Sequence, residues 1–180
     1  MNKPLLVGAA IAMMVAFPIG MASAQSVAEK TGVNSALGVT PTTKDFVTEA
    51  ANSDMLEIDS SKLVLATNDA GVKSFAQKMI DDHTATSKEL KKIVADGKID
   101  APIPATMDKA HQSKLDKLKK EKGADLVKDY KSMQVSAHKD AVSLFQRYAK
   151  GGDNAELKTF ASKTLPTLQD HLKMAEDLNK

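Results

Sequence analysis

The sequence predicts an all-α protein: a four-helix bundle with a short crossover helix between the second and third long helices. Three observations carry this expectation. Apolar residues recur at helical spacing through most of the chain after Thr42. Helix-ending residues punctuate those stretches, at Gly97, Pro102, Pro104, Gly123, Gly151 and Gly152. No segment reads convincingly as a strand.

The first element is not part of the bundle. Lys3 is followed by a nearly uncharged run from Pro4 to Met21, and then by Ala22-Ser23-Ala24 before Gln25. A short basic region, an apolar stretch and a small-x-small site together predict a cleavable export signal over residues 1–24, cut after Ala24. The alternative is an uncleaved anchor, although the apolar run falls short of the ~20 residues that span a bilayer comfortably. Export places the protein in the periplasm or outside the cell. Residues 25–41 are rich in Ser, Thr, Gly and Val without helical period, and read as a flexible leader to a bundle domain over 42–180.

Composition narrows the function. The chain has no Cys, which removes disulfides, thiol catalysis and thiolate metal sites. Its formal net charge is +2, of which Lys3 in the signal supplies one unit. That near balance, with no Trp and few aromatic residues, argues against a nucleic-acid partner. No second hydrophobic stretch is long enough to cross a membrane once the signal is cut.

The long helices follow in order. The first covers about 43–67, with Thr43 as its N-cap. Asn68-Asp69 breaks the chain, and the second covers about 70–96, ended by Gly97. Ala101-Pro102-Ile103-Pro104 forms a stiff extended link. A short charged helix over about 105–122 ends at Gly123. The third long helix covers about 124–150 and stops at Gly151-Gly152. Asp153 caps the fourth, about 154–179, in which Pro166 predicts a kink or break near Thr164. Helices of about 25 residues are ~37 Å long. Very short connections make antiparallel hairpins of the first and second, and of the third and fourth. The link plus charged helix is long enough to carry the chain back along the bundle, leaving the second and third long helices parallel. This is the order of ferritin-like bundles; a five-helix up-down array is the alternative.

Polar residues interrupt the apolar faces. At ~100° per residue, Val72, Phe75, Ala76, Met79, Leu90, Ile93 and Val94 form a stripe on the second helix with His83 in its middle. On the third, Gln134 and His138 lie within the stripe of Val127, Ala141, Phe145, Tyr148 and Ala149. On the fourth, His171 lies at the edge of Leu157, Ala161, Leu165, Leu168, Leu172 and Ala175. On the first, Glu57 falls on the shoulder of Phe46, Val47, Ala50, Ile58, Val64 and Leu65. A lone core histidine is ordinarily satisfied by a carbonyl or carboxylate, and Glu57 could serve one of these. Three histidines and a glutamate from four helices, all near mid-helix, instead suggest a first shell for one transition-metal ion, zinc, iron or copper. Di-iron bundles place Glu three residues before each of two histidines. Those positions here are Ile80, Val135 and Leu168, so a single-ion site is what remains. Met79, one turn before His83, and Met174, three after His171, offer a thioether version suited to Cu(I); the plainer reading is that they fill the core. Any haem held by two of the histidines would be non-covalent, since no Cys-x-x-Cys-His exists. His111, on the charged crossover helix, reads as solvated, and the Lys114–Lys122 run as an exposed face.

Several stretches together resemble one exported bacterial family. They are Met55-Leu56-Glu57-Ile58-Asp59 with Leu63-Val64-Leu65-Ala66, Phe75-Ala76-Gln77-Lys78-Met79-Ile80-Asp81-Asp82-His83, Tyr130 with Gln134 and His138, and Phe160-Ala161 through Leu165-Pro166 to His171-Leu172. They are similar to the family known as domain of unknown function 4142, over about 45–178. The resemblance implies a ferritin-like fold and a shared pattern of Glu57, Asp82, His83, His138 and His171, but supplies no activity. Members are often labelled membrane proteins; only the signal of this chain could enter a bilayer. Three functions compete: a metal-binding bundle for sequestration or stress protection, a metal-free structural or partner-binding bundle, and, ranked last, a metalloenzyme, so that an enzyme is not the expectation.

Overall fold

The computed structural model describes residues 33–180; the predicted export signal and the first part of the predicted leader lie outside the described residues. Six helices follow: α1 (Val33–Ala36), α2 (Thr43–Val64), α3 (Ala70–Asp96), α4 (Lys109–Lys120), α5 (Gly123–Gly151) and α6 (Ala155–Leu178). There is no strand among the described residues, and the protein is an all-α helical bundle. No helix among them is long and apolar enough to cross a membrane.

Side-chain caps set the helix starts. Thr42 accepts from the Asp45 amide, Asp69 from Val72, Asp108 from His111 and Asn154 from Leu157. Each satisfies a first-turn N–H that has no intrahelical partner. The caps of α2 and α6 thus fall one residue before and one residue after the Thr43 and Asp153 expected from sequence. Gly123 differs more: instead of ending the crossover helix it begins α5, at φ +57°, with open space where a Cβ would stand. That left-handed step lets the chain pass from α4 into α5 in three residues. The break expected near Thr164 is absent, because Pro166 lies on the exposed face of α6, where the carbonyl it leaves without an amide can turn to water.

Contacts along the helices fix their directions. Phe46 stacks on Tyr148 near one end of α2, while Ser61 bonds Tyr130 towards the other, so α2 and α5 run antiparallel. Asp82–His171 and Glu89–Lys163 make α3 and α6 antiparallel. With α2–α3 and α5–α6 joined as hairpins, α3 and α5 are parallel, and α4 carries the chain back between them. Of the expected leader, residues 33–36 form a helical turn. Ser35 there bonds Ser143 at 2.7 Å, and Arg147 donates to the Val39 carbonyl at 2.5 Å, holding the segment along α5.

Two apolar clusters fill the bundle. One gathers Phe46, Leu90, Phe145, Tyr148, Leu157 and Phe160, with Phe46 and Tyr148 stacked at 4.1 Å between ring centres. The other gathers Val64, Val72, Phe75, Met79, Leu118, Tyr130 and Ala175. Between the mid-helix positions of these two clusters sits a polar layer. α2 is covered by α3, α4 and α5 and is buried through most of its circumference, including Asp45, Asn52, Asp54, Glu57, Ser60 and Ser61. Its core contribution therefore departs from the expected stripe, with Leu56 buried and Ile58 only half-buried.

Candidate metal centre

Each residue of the polar layer is placed by helical phase. His83 faces inward from α3 because its neighbours at one and two turns, Met79, Ala76 and Phe75, form that helix's apolar face. His138 does so from α5 between Gln134, Ala137 and Ala141. His171 does so from α6 between Leu168 and Ala175. His83 is 2% exposed, and His138 and His171 are 1% exposed each. Their ring centres form a nearly equilateral triangle, with sides of 5.7, 5.5 and 5.4 Å. One nitrogen from each ring lies within 4.8 Å of the other two.

The hydrogen bonds of the three rings share a pattern. His83 Nδ1 bonds Asp54 Oδ1 at 2.8 Å, and the other oxygen of Asp54 accepts from Ser87 Oγ at 2.9 Å. His138 Nδ1 donates to the Gln134 carbonyl at 2.9 Å. His171 Nε2 bonds Asp82 Oδ2 at 2.8 Å, and Lys78 donates to the same oxygen at 2.8 Å. The second nitrogen of every ring, His83 Nε2, His138 Nε2 and His171 Nδ1, is buried without a hydrogen-bond partner. Buried polar atoms are rarely left so, and three together in one layer are a feature to be explained. One nitrogen anchored on an acceptor and the other held bare is the arrangement of metal-ligating histidine, in which the acceptor fixes the tautomer and the ring orientation.

Electrostatics keep two of the rings neutral. Burial pushes His171 down to about 4, the bond to Asp82 opposing it and the neighbouring imidazoles adding to it. Burial likewise lowers His138, against the pull of Glu57. For His83 burial acts the same way and is the largest single influence, but the hydrogen bond and charge of Asp54, joined by the charges of Glu57 and Asp82, together outweigh it and the ring is held above its ordinary value. Neutral imidazole is the form that can donate a lone pair to a metal.

The structure brings together His83, His138 and His171. It does not bring Glu57 into the same tight set. The Glu57 carboxylate is 1% exposed and both its oxygens lack hydrogen bonds, but its nearest approach is 3.9 Å from Oε1 to His138 Nδ1, the nitrogen already bonded to a carbonyl. Gln134 is fully buried; its backbone carbonyl orients His138, and its amide donates to Ser60 Oγ at 3.5 Å. Asp82 stands behind His171, half-buried. Met79 packs in the apolar cluster with Phe75 and Tyr130, and Met174 is 37% exposed. Sequence reasoning did not single out Asp54 or Ser87. The available signal was position, since Asp54 lies one turn before Glu57 on the same buried side of α2.

One expectation is overturned. His111 is not solvated: it is 8% exposed, because the crossover helix lies on α2 and turns His111, Leu115 and Leu118 inward. Its Nδ1 bonds Asp108 at 3.0 Å, and its Nε2 lies 3.4 Å from Glu49. The lysines of the 114–122 run are exposed, as expected.

The bundle is similar to the solved structure of CopM in the Cu(II)-bound form, with a TM-score of 0.65 and 17% identity, over 78% of this chain and 97% of that one. At that identity the likeness speaks for the fold alone. No curated protein matches the chain. The model of a family described as a domain of unknown function, DUF4142, matches residues 28–178, which includes all six described helices, and the chain belongs to that family.

Proposed function

We propose that this is an exported bundle that binds one transition-metal ion in its core, through His83 Nε2, His138 Nε2 and His171 Nδ1, and that its role is to sequester the metal or protect against metal stress. The observation that carries the reading is the set of three buried, partnerless ring nitrogens on one layer, each with its opposite nitrogen anchored. Imidazole suits zinc, copper and iron. CopM, whose fold is similar, is known in a Cu(II)-bound form, which supports the reading without extending to these residues. Glu57 is the nearest candidate for a further ligand or for a compensating charge. Burial of all three rings favours holding an ion over turning over a substrate. Residues 1–24 act as the cleaved export signal, supported by the basic start, the apolar run and Ala22-Ser23-Ala24.

A second reading, a metal-free scaffold, draws on the same hydrogen bonds. Asp54–His83 ties α2 to α3, and Asp82–His171 ties α3 to α6, which is useful structurally with or without an ion. The two separate on one experiment. Protein purified in metal-replete buffer is analysed for metal, and its melting temperature is followed on adding Zn²⁺, Cu²⁺ or Fe²⁺. About one ion per chain with a raised melting temperature is expected; a ligand at a hundred times its Kd adds about 2.7 kcal/mol. No metal and no shift with any of the three ions rejects the metal-binding reading and leaves the scaffold.

A further inference from the structure

Away from the histidine layer, one end of the bundle is hollow. Where α2 and α6 finish and α5 starts, a cleft of about 810 Å³ opens. Its floor is apolar. Leu63 of α2, Leu126 and Val127 of α5 and Leu178 of α6 line it. All four pack against the cluster of Val64, Val72 and Tyr130 and stay only half-buried. Apolar side chains gathered from three helices and left at solvent are the mark of a ligand groove or an interface.

The rim is basic. Lys122, Lys128, Lys131 and Lys180 line it, against two acids, Asp69 and Glu121. Asp69 is committed elsewhere: it accepts from the Val72 amide at the start of α3 and lies 3.7 Å from Lys131. Lys180 pairs with Asp177 at 2.7 Å. Glu121 acts on Lys117, on the α4 side. Lys122 and Lys128 have no acidic partner among the described residues. An apolar floor beneath two uncompensated ammonium groups is complementary to a molecule with an apolar body and one negative end.

We propose that this cleft binds a single-chain anionic amphiphile of the fatty-acid class, its tail on the leucine and valine floor and its carboxylate between Lys122 and Lys128. The size fits, since small-ligand sites span roughly 300–1,000 Å³. The charge disfavours a second copy of the chain. A two-fold interface through this face would set Lys122 and Lys128 against the same lysines of the copy. The concave shape favours one enclosed molecule over a flat lipid surface. The site stands apart from the metal centre: Val127 precedes His138 by eleven residues of α5, ~16 Å along the helix. It is therefore independent of whether an ion is bound there.

The test is calorimetric titration of the full chain with dodecanoate below its micelle concentration. Dodecyltrimethylammonium, which has the same tail and the opposite charge, is titrated beside it. Wild type is expected to bind dodecanoate about one to one, with a Kd of about 100 µM or tighter, and the cationic analogue at least about tenfold more weakly. Lys122→Glu combined with Lys128→Glu should weaken dodecanoate at least about tenfold and reverse the preference. Ala124→Trp, at an exposed position in the cleft wall, fills the space without altering charge and should weaken both ligands at least about tenfold. Circular dichroism checks that each variant keeps its helix content; if Ala124→Trp fails to fold, Ala66→Trp on the α2 side replaces it. No binding of dodecanoate, equal affinity for the two amphiphiles, or unchanged binding in the tryptophan variant overturns the proposal. Sedimentation with phosphatidylglycerol vesicles in the absence of stoichiometric dodecanoate binding also overturns it, and makes the basic end a membrane-facing surface instead.

Discussion

All four histidines are buried, yet they occupy two different kinds of site. On the crossover helix, His111 has an acidic partner for each ring nitrogen, Asp108 on one side and Glu49 on the other. In the central layer, His83, His138 and His171 each have one nitrogen partnered and one bare. Burial alone therefore does not separate a structural histidine from a candidate ligand; the fate of the second nitrogen does. The His111 cluster also contains three residues with metal-capable atoms in reach of one another, but its imidazole is already taken up in fastening α4 to α2.

The largest effect should come from removing a ring. His138→Ala is expected to weaken metal binding by at least about a hundredfold, through loss of a donor. His111→Ala should leave it within about twofold. Competition against a chromophoric chelator measures both, and a comparable loss in the two variants would erase the distinction between the sites. Next come the acceptors behind the rings. Asp54→Asn and Asp82→Asn should each cost about ten- to a hundredfold in affinity. Asp54→Asn should have the greater effect, because Asp54 is buried and Asp82 half-exposed.

Acid should weaken the central layer. His138 and His171 are held below their ordinary 6.5, His171 at about 4, so the unfolded chain takes up protons more readily there. Their contribution to stability is full above about pH 6.5 and is lost as pH falls from about 6.5 towards about 4. His83, held above its ordinary value by Asp54, opposes this in part. The metal-free protein should thus melt several degrees lower at pH 5 than at pH 7.5, and the difference should shrink in His171→Gln. A calorimetric melt at the two pH values tests it. The smallest effect belongs to the His111 cluster: Asp108→Ala removes the α4 cap and one partner of His111, costing about 1 kcal/mol of stability with no change in metal affinity, as denaturant unfolding and chelator competition would show together.

Much of this was legible in the sequence because α3, α5 and α6 each bury a single face. Their apolar periodicity located His83 and His138 directly and put His171 near the edge of its stripe, and the length of the link between the second and third long helices foretold that α3 and α5 run parallel. α2 was harder to read. It is covered on three sides, so its buried positions include acids, an asparagine and serines, and a method that looks for one apolar stripe passes over Asp54 and ranks Ile58 above Leu56. His111 was misjudged for a related reason. The strong charge of the crossover helix belongs to its outer face, and the inner turn of His111, Leu115 and Leu118 is too short to dominate the pattern. Glu57 was correctly expected in the interior, but periodicity gives the direction of a side chain and not its reach, so its distance from the imidazole triangle required coordinates.

The crossover has a consequence for assembly. His83 belongs to the α2–α3 hairpin, while His138 and His171 belong to the α5–α6 hairpin. The nitrogen triangle comes into being only when the two halves of the chain dock. An ion gripped there would rivet the halves together, and the separated halves could offer it no more than one or two of the three nitrogens. Loading would therefore slow the parting of the hairpins far more than the fraying of either one.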